Sequence, residues 1–243
     1  MSLLEVRGIA KSFRGLKALR GVDLSVDEGA ILGVIGANGA GKTTLFNCIT
    51  GSFPPDAGTV VLDGQDVTGL PTHRLARLGM VRTFQLMRPF PTMTVLENVS
   101  IATMSRGARG GRAARADALH AIEQTGLGEW SDRIAGSLPT AVQKRLELAR
   151  AVALRPRVLL LDEVLAGLVP AERVPVLELL ERLRAEEGMT MVFIEHIMAA
   201  VRRLSDSVVM MDQGAVLAEG QVDDVLSDPR VITAYLGQEY SHA

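Results

Sequence analysis

The sequence predicts an α/β domain: a mainly parallel sheet with helices on both faces, interrupted by a helical segment in its middle third. Three observations predict it. Short apolar runs at residues 158–161, 191–194 and 208–211 alternate with helical patterns at 173–186 and 197–204. Strands that alternate with helices pack as a covered parallel sheet. The continuous apolar run at 30–35 stops in a Gly-rich turn, from which a helical pattern leads to about residue 50. Between about 86 and 154 strand signals vanish and helical periodicity takes over.

Taken in order, residues 4–7 and 22–26 alternate as half-exposed strands, and 30–35 reads as a buried strand. The helix that begins at Lys42 stops at Gly51 and the pair Pro54-Pro55. Residues 59–62 and 80–84 are further short strands. Helices are expected at 95–104, 112–125 and 143–154. This divides the chain into a core of residues 1–86 and 155–243 and an inserted helical subdomain, 87–154. Within the insertion, Arg106-Gly107-Ala108-Arg109-Gly110-Gly111-Arg112 reads as a flexible exposed loop. A contact with anionic lipid or nucleic acid is the alternative, and the stretch is too short to favour it.

Composition narrows the function classes. Hydrophobic residues are 47 % of the 243, which suits a packed globular core, and the net charge of −2 excludes a nucleic-acid-binding polycation. The single cysteine, Cys48, forbids an intramolecular disulfide and fits a reducing cytoplasm. Its place in the helix after Lys42 suits a small buried apolar residue better than a reactive thiol. The first residues lack a basic start and an apolar stretch, and no run approaches the ~20 apolar residues that span a bilayer. A membrane role therefore requires docking to something that spans.

Gly36-Ala37-Asn38-Gly39-Ala40-Gly41-Lys42-Thr43 matches G-x-x-x-x-G-K-[ST], with Thr44 following. The spacing answers to chemistry. Phosphate oxygens need several inward-pointing backbone N–H groups, and glycine permits the tight turns and close approach. The helix that starts at Lys42 adds its positive end. Lys42 reaches the β- and γ-phosphates of a nucleotide, and the Thr43 hydroxyl ligates Mg²⁺. ATP and Mg²⁺ are the cofactors this implies. A second apolar strand ends in Asp162-Glu163. Ligands sit beyond the carboxyl ends of parallel strands, so both motifs converge on one crevice. Asp162 is placed to hold the magnesium shell and Glu163 to orient or deprotonate the attacking water. His196, beyond the strand 191–194, fits contact with the γ-phosphate. Gln85, at the end of 80–84, fits a magnesium or water ligand and fits a structural role equally well.

Together these residues resemble the ATP-binding subunits of ABC transporters along essentially the whole chain. The order is Phe13, the phosphate loop, Gln85, the helical segment, Asp162-Glu163 and His196. Several stretches resemble the branched-chain amino-acid importer branch: Gly69-Leu70-Pro71 through Arg77-Leu78-Gly79, Arg82-Thr83-Phe84-Gln85, Thr94-Val95-Leu96-Glu97-Asn98-Val99, Ile194-Glu195-His196, and Asp228-Pro229-Arg230 to Tyr235-Leu236-Gly237. The resemblance implies a P-loop NTPase core with an N-terminal antiparallel β subdomain and the helical insertion. It implies that Phe13 stacks on adenine and that Gln85 links magnesium to a transmembrane partner. Glu163 is then the catalytic base and His196 the switch histidine. The implied function is ATP hydrolysis at the cytoplasmic face of a membrane. That hydrolysis energises permease subunits that import branched-chain amino acids or related small polar solutes, with an external solute-binding protein engaged indirectly and no nucleic acid. A soluble ABC ATPase without a transport role is the alternative.

The family's signature, Leu-Ser-Gly-Gly-Gln, is replaced here by Leu138-Pro139-Thr140-Ala141-Val142. In the family this segment completes the partner's ATP site across a head-to-tail dimer. Pro139 has no N–H to give, and Thr140 and Ala141 add side chains where close approach is wanted. Val164 follows the acidic pair where the family usually has proline, and Val169 stands where an aspartate often crosses the dimer. Its own phosphate loop is intact, while what it offers a partner is weakened. The expectation is a heterodimer with a second ATP-binding subunit that carries an intact signature, a homodimer being the alternative.

Overall fold

The computed structural model of the protein describes residues 2–83, 89–105 and 111–239. Strands β1 (Ser2–Phe13) and β2 (Leu16–Asp27) form an antiparallel hairpin. Its two-residue turn, Arg14 and Gly15, has φ of 48° and 89°, the positive pair that matches the twist of flanking strands. After β3 (Ile31–Ile35) and α1 (Lys42–Ile49), β4 (Ala57–Leu62) and β5 (Gln65–Asp66) complete a first sheet in the order β2-β1-β4-β5. All its pairings are antiparallel. The short helix α2 (Thr72–Arg77) leads into β6 (Met80–Arg82). The strand expected at 80–84 thus ends at Arg82; Phe84 and Gln85 lie outside the described residues.

Between β6 and β7 (Val158–Asp162) come α3 (Val95–Ser105), α4 (Gly111–Gln124) and α5 (Thr140–Val152), with two single 3-10 turns and no named strand among the described residues. The start of α3 is a reciprocal cap: Glu97 Oε2 accepts from Thr94 N–H at 2.8 Å, and Thr94 Oγ1 accepts from Glu97 N–H at 3.1 Å. The remaining elements are α6 (Pro170–Glu187), β8 (Thr190–Ile194), α7 (Met198–Leu204), β9 (Ser207–Asp212), β10 (Ala215–Gly220), α8 (Val222–Ser227) and α9 (Pro229–Glu239). The second sheet runs β10-β9-β3-β8-β7-β6, parallel throughout except that β10 lies antiparallel to β9 on the edge.

Both faces of this sheet are buried, which is why its strands read as unbroken apolar runs. Side chains alternate along β3. Ile31 and Ile35 join one core with Leu161, Phe193, Leu146 and Leu180, while Leu32 and Val34 join another with Phe46, Leu160, Val192 and Val6 of the first sheet. The register decides where the site forms. Val34 pairs with Ile194 and Ile194 with Asp162, so β3, β8 and β7 end level with one another. The residues that follow each strand, from Gly36, Glu195 and Glu163 on, emerge along one edge.

Candidate active site

The loop after β3 is tight because its glycines have no alternative. A Cβ at Gly36 meets Met211 O at 2.2 Å, and one at Gly41, where φ is 104°, meets Ala18 O at 2.8 Å. Substituting either moves the loop off the sheet or off the β1–β2 hairpin. The loop borders a cavity of about 390 Å³ lined by Asn38 to Thr44, Glu163, Leu16, Lys17, Ala18, Arg20, Gln213 and Gly214. All the loop residues expected to hold nucleotide from Asn38 onward therefore face one space.

Lys42 is buried, and its Nζ donates to the carbonyl oxygens of Gly36 at 2.5 Å and Ala37 at 2.9 Å. Burial lowers its pKa; the charges of Glu163 and Asp162 act in the opposite direction. A phosphate competes with two backbone carbonyls for this ammonium, and its negative charge offsets the cost of burying the cation. Cys48, on the inner face of α1, is 1 % exposed and its thiol is raised to about 11, chiefly by burial. It is a packed core residue and not a nucleophile.

At the end of β7, Asp162 is 2 % exposed, and its Oδ2 accepts from Arg82 Nη2 at 2.5 Å. Arg82 also donates to Asn47 Oδ1 of α1 at 2.6 Å and stacks over Phe46 at 5.6 Å. Through Arg82, Asp162 is thus tied to both α1 and β6. Glu163 takes a left-handed φ of 50°, uncommon for a non-glycine residue. Its N–H bonds Ile194 O at 3.0 Å, which turns the side chain into the cavity. His196 Nε2 lies 2.6 Å from Glu163 Oε1. With Glu163 ionised, the bond places the ring proton on Nε2. Glu195, between strand and histidine, is 2 % exposed; its carboxylate accepts from Leu165 N–H at 2.9 Å and His196 N–H at 3.2 Å.

The structure brings together the phosphate loop, Asp162, Glu163 and His196. Phe13 stands apart from the cavity lining. It meets Phe53 edge-on at 5.3 Å and is 43 % exposed, while its cross-strand partner Leu16, 72 % exposed, lines the space. Sequence reasoning missed Arg82, Glu195 and the turn Gln213-Gly214. Gly214 N–H bonds Ala40 O of the phosphate loop at 2.9 Å, and Gly214 O accepts from Arg20 N–H at 2.8 Å. A lone charge in an apolar strand was a readable signal for Arg82. A carboxylate at a buried strand end was one for Glu195.

The residues Leu138 to Val142 form the entry to α5. Pro139 is extended at φ −58° and ψ 152°, the helix starts at Thr140, and no side chain caps it. Gln143 Nε2 returns to Leu138 O at 2.9 Å. Val169, 57 % exposed, begins α6; Glu172 reaches back to its N–H at 3.1 Å, but valine has no side-chain oxygen to complete the reciprocal cap.

The sequence profile of the family described as ABC transporter matches residues 19–166. The chain belongs to that family. A second profile, described as branched-chain amino acid ATP-binding cassette transporter, matches residues 215–241 of this ABC protein. It is 43 % identical to the high-affinity branched-chain amino acid transport ATP-binding protein BraF of Pseudomonas aeruginosa, over 97 % of this chain and 98 % of that one. It is 41 % identical to LivG of Escherichia coli with the same coverage. Among solved structures, the ADP conformation of an ATP-binding cassette of an ABC transporter superposes with a TM-score of 0.89 at 34 % identity, covering 98 % of this chain and 99 % of that one. A bacterial ABC transporter cassette solved as a dimer superposes at 0.79 with 26 % identity, over 90 % and 98 %. This ABC cassette therefore carries an ATP-hydrolysing domain of the branched-chain amino acid type, and the antiparallel sheet beside a mostly parallel one is the family's fold. Among its described residues no helix is long and apolar enough to cross a membrane.

Proposed function

We propose that the chain is the ATP-hydrolysing subunit of an importer for branched-chain amino acids or related small polar solutes, paired with a second ATPase that carries an intact signature. The transport reading is supported by the relatives' names and by the profile over residues 215–241. It places the chain peripherally at the cytoplasmic face, against permease subunits served by an external binding protein. Residues 87–154 act as a helical subdomain within this arrangement.

The observation that carries the catalytic reading is the 2.6 Å contact between His196 and Glu163 at the cavity of the phosphate loop. The N–H groups of the phosphate loop would hold the phosphates of ATP, and the hairpin that carries Phe13 and Leu16 would flank its adenine. Glu163 accepts the proton of the attacking water, and His196 holds Glu163 in place and faces the γ-phosphate. The oxygen set fits Mg²⁺: the Thr43 hydroxyl at the cavity and the Asp162 carboxylate beside Lys42, with Gln85 outside the described residues. Bound there, the ion supplies positive charge to the phosphate oxygens. Arg82 keeps the Asp162 carboxylate oriented independently of it.

The heterodimer is supported by Pro139 at the entry to α5 and by Val169 at the head of α6. Neither offers the polar groups that the family places across the dimer. Hydrolysis by the purified chain tests this, alone and with the sister ATPase, with Glu163→Gln as the blank. Loss of backbone donors to the γ-phosphate predicts turnover alone about a hundredfold below that of the pair. Brisk Glu163-dependent turnover by the chain alone overturns the heterodimer in favour of a homodimer.

A further inference from the structure

We propose that Glu195 is a positioning residue for hydrolysis: its buried carboxylate fastens the loop from Glu163 to Leu168 onto the end of β8 and so fixes Glu163 against His196. The inference rests on the reading of Glu163 and His196 as the hydrolytic pair.

A carboxylate in a protein interior is costly unless it is fully used, and a well-packed apolar residue is the cheaper occupant. Glu195 is 2 % exposed and follows a strand whose five residues are all buried. Among the described residues no lysine or arginine pairs with it. Its two oxygens are spent on backbone amides that belong to different elements. Oε1 takes Leu165 N–H at 2.9 Å, two residues beyond Glu163, and Oε2 takes His196 N–H at 3.2 Å. Burial is the largest influence on its pKa and raises it; the two amide bonds oppose that shift.

The fastened loop matters because both its ends face function. It begins at Glu163, held in a left-handed turn, and closes on itself through Ala166 N–H to Glu163 O at 3.0 Å and Leu168 N–H to Leu165 O at 3.2 Å. It ends at Leu168, next to Val169, which is exposed at the head of α6. The side chains of Val164 and Leu165 anchor it in the core by packing, and packing does not set the rotation of a backbone amide. A carboxylate does, because its two oxygens have a fixed separation. A backbone N–H directed at each oxygen therefore fixes Leu165 relative to His196, and with it the 2.6 Å approach of His196 to Glu163. Glutamine cannot replace this: it keeps the size but turns an NH₂ toward one of the two donors.

The test uses Glu195→Gln in the paired, ATP-hydrolysing assembly, with Glu163→Gln alongside. We expect kcat to fall by about tenfold to a hundredfold, the scale set by displacing a catalytic group by about an ångström. The KM for ATP should stay within about twofold, since the phosphate loop is untouched. Hydrogen exchange should quicken at the Leu165 and His196 amides and not at those of residues 36–44. Wild-type turnover of Glu195→Gln overturns the proposal. So does a joint change in kcat, KM and exchange across the whole domain, which is the mark of general destabilisation. If Glu163→Gln itself turns over, the reading of Glu163 fails. If Glu163→Gln is inactive and Glu195→Gln is fully active, only the role of Glu195 fails.

Discussion

Arg82 shows how much one side chain in this protein is asked to do. It holds Asp162 across a contact in which the two side chains are 5 % and 2 % exposed. It reaches Asn47 on α1 and covers Phe46 with its guanidinium. Arg82→Met keeps the apolar stem and leaves the Asp162 carboxylate buried without this cation, which should cost about 3–5 kcal/mol in urea unfolding. Arg82→Met with Asp162→Asn should recover most of that loss, because the stranded charge is then gone. A double variant no more stable than the single one means that Arg82 acts through packing alone. The phosphate loop and the Asp162-Glu163 pair were legible as patterns in the sequence because both are local strings. Arg82 could be noticed as a lone charge, but its role could not be read, because its partners Asn47 and Asp162 lie 35 and 80 residues away.

Among the elements, α6 carries the clearest local conflict. It runs Pro170–Glu187, with Pro170 at its first turn, where a missing N–H is harmless, and Pro175 inside, where it is not. Pro175 cannot bond the carbonyl one turn back, and its ring crowds that carbonyl. Pro175→Ala should raise stability by about 2 kcal/mol, the interior-proline penalty of about 3 less about 1 for the freer unfolded chain. An unchanged or lower thermal midpoint means that Pro175 suits the local geometry that seats Val176 and Leu180 in the core. Strand and helix types were readable where a bounded apolar run marked a buried strand, as in β3, β7 and β8, or where helical periodicity was strong, as in α3. The short β5, α2, β10 and α8, and α9 after them, were passed over. Elements of two to six residues hold too few positions to display a period. The edge strand β10 exists because β9 offers it a free row of hydrogen-bonding groups.

At the scale of the whole molecule, the cavity draws its walls from the β1–β2 hairpin, the phosphate loop, the residue after β7 and the β9–β10 turn. A nucleotide that bridges these should therefore stabilise the fold globally. At a hundredfold excess over Kd, MgATP should add about 2.7 kcal/mol. For a domain of this size that is roughly 5–10 °C in Tm by calorimetry. Lys42→Ala should abolish the shift while leaving the nucleotide-free Tm close to that of the native chain. A shift that survives Lys42→Ala means that the nucleotide binds elsewhere.

The sequence by itself determined the alternation of strand and helix, the phosphate loop and its lysine, the acidic pair after β7 and the departure at Leu138 to Val142. Each of these is a contiguous pattern whose physics is local: periodicity, glycine conformational freedom, the missing N–H of proline. Only the tertiary structure decided that β3, β8 and β7 end level, that Arg82 and not solvent faces Asp162, that Glu195 grips Leu165, and that Leu16 and Gln213 border the cavity while Phe13 packs on Phe53. Those are long-range contacts. They are set by sheet register and by the need of each buried polar group for a partner, and neither can be read from neighbouring residues along the chain.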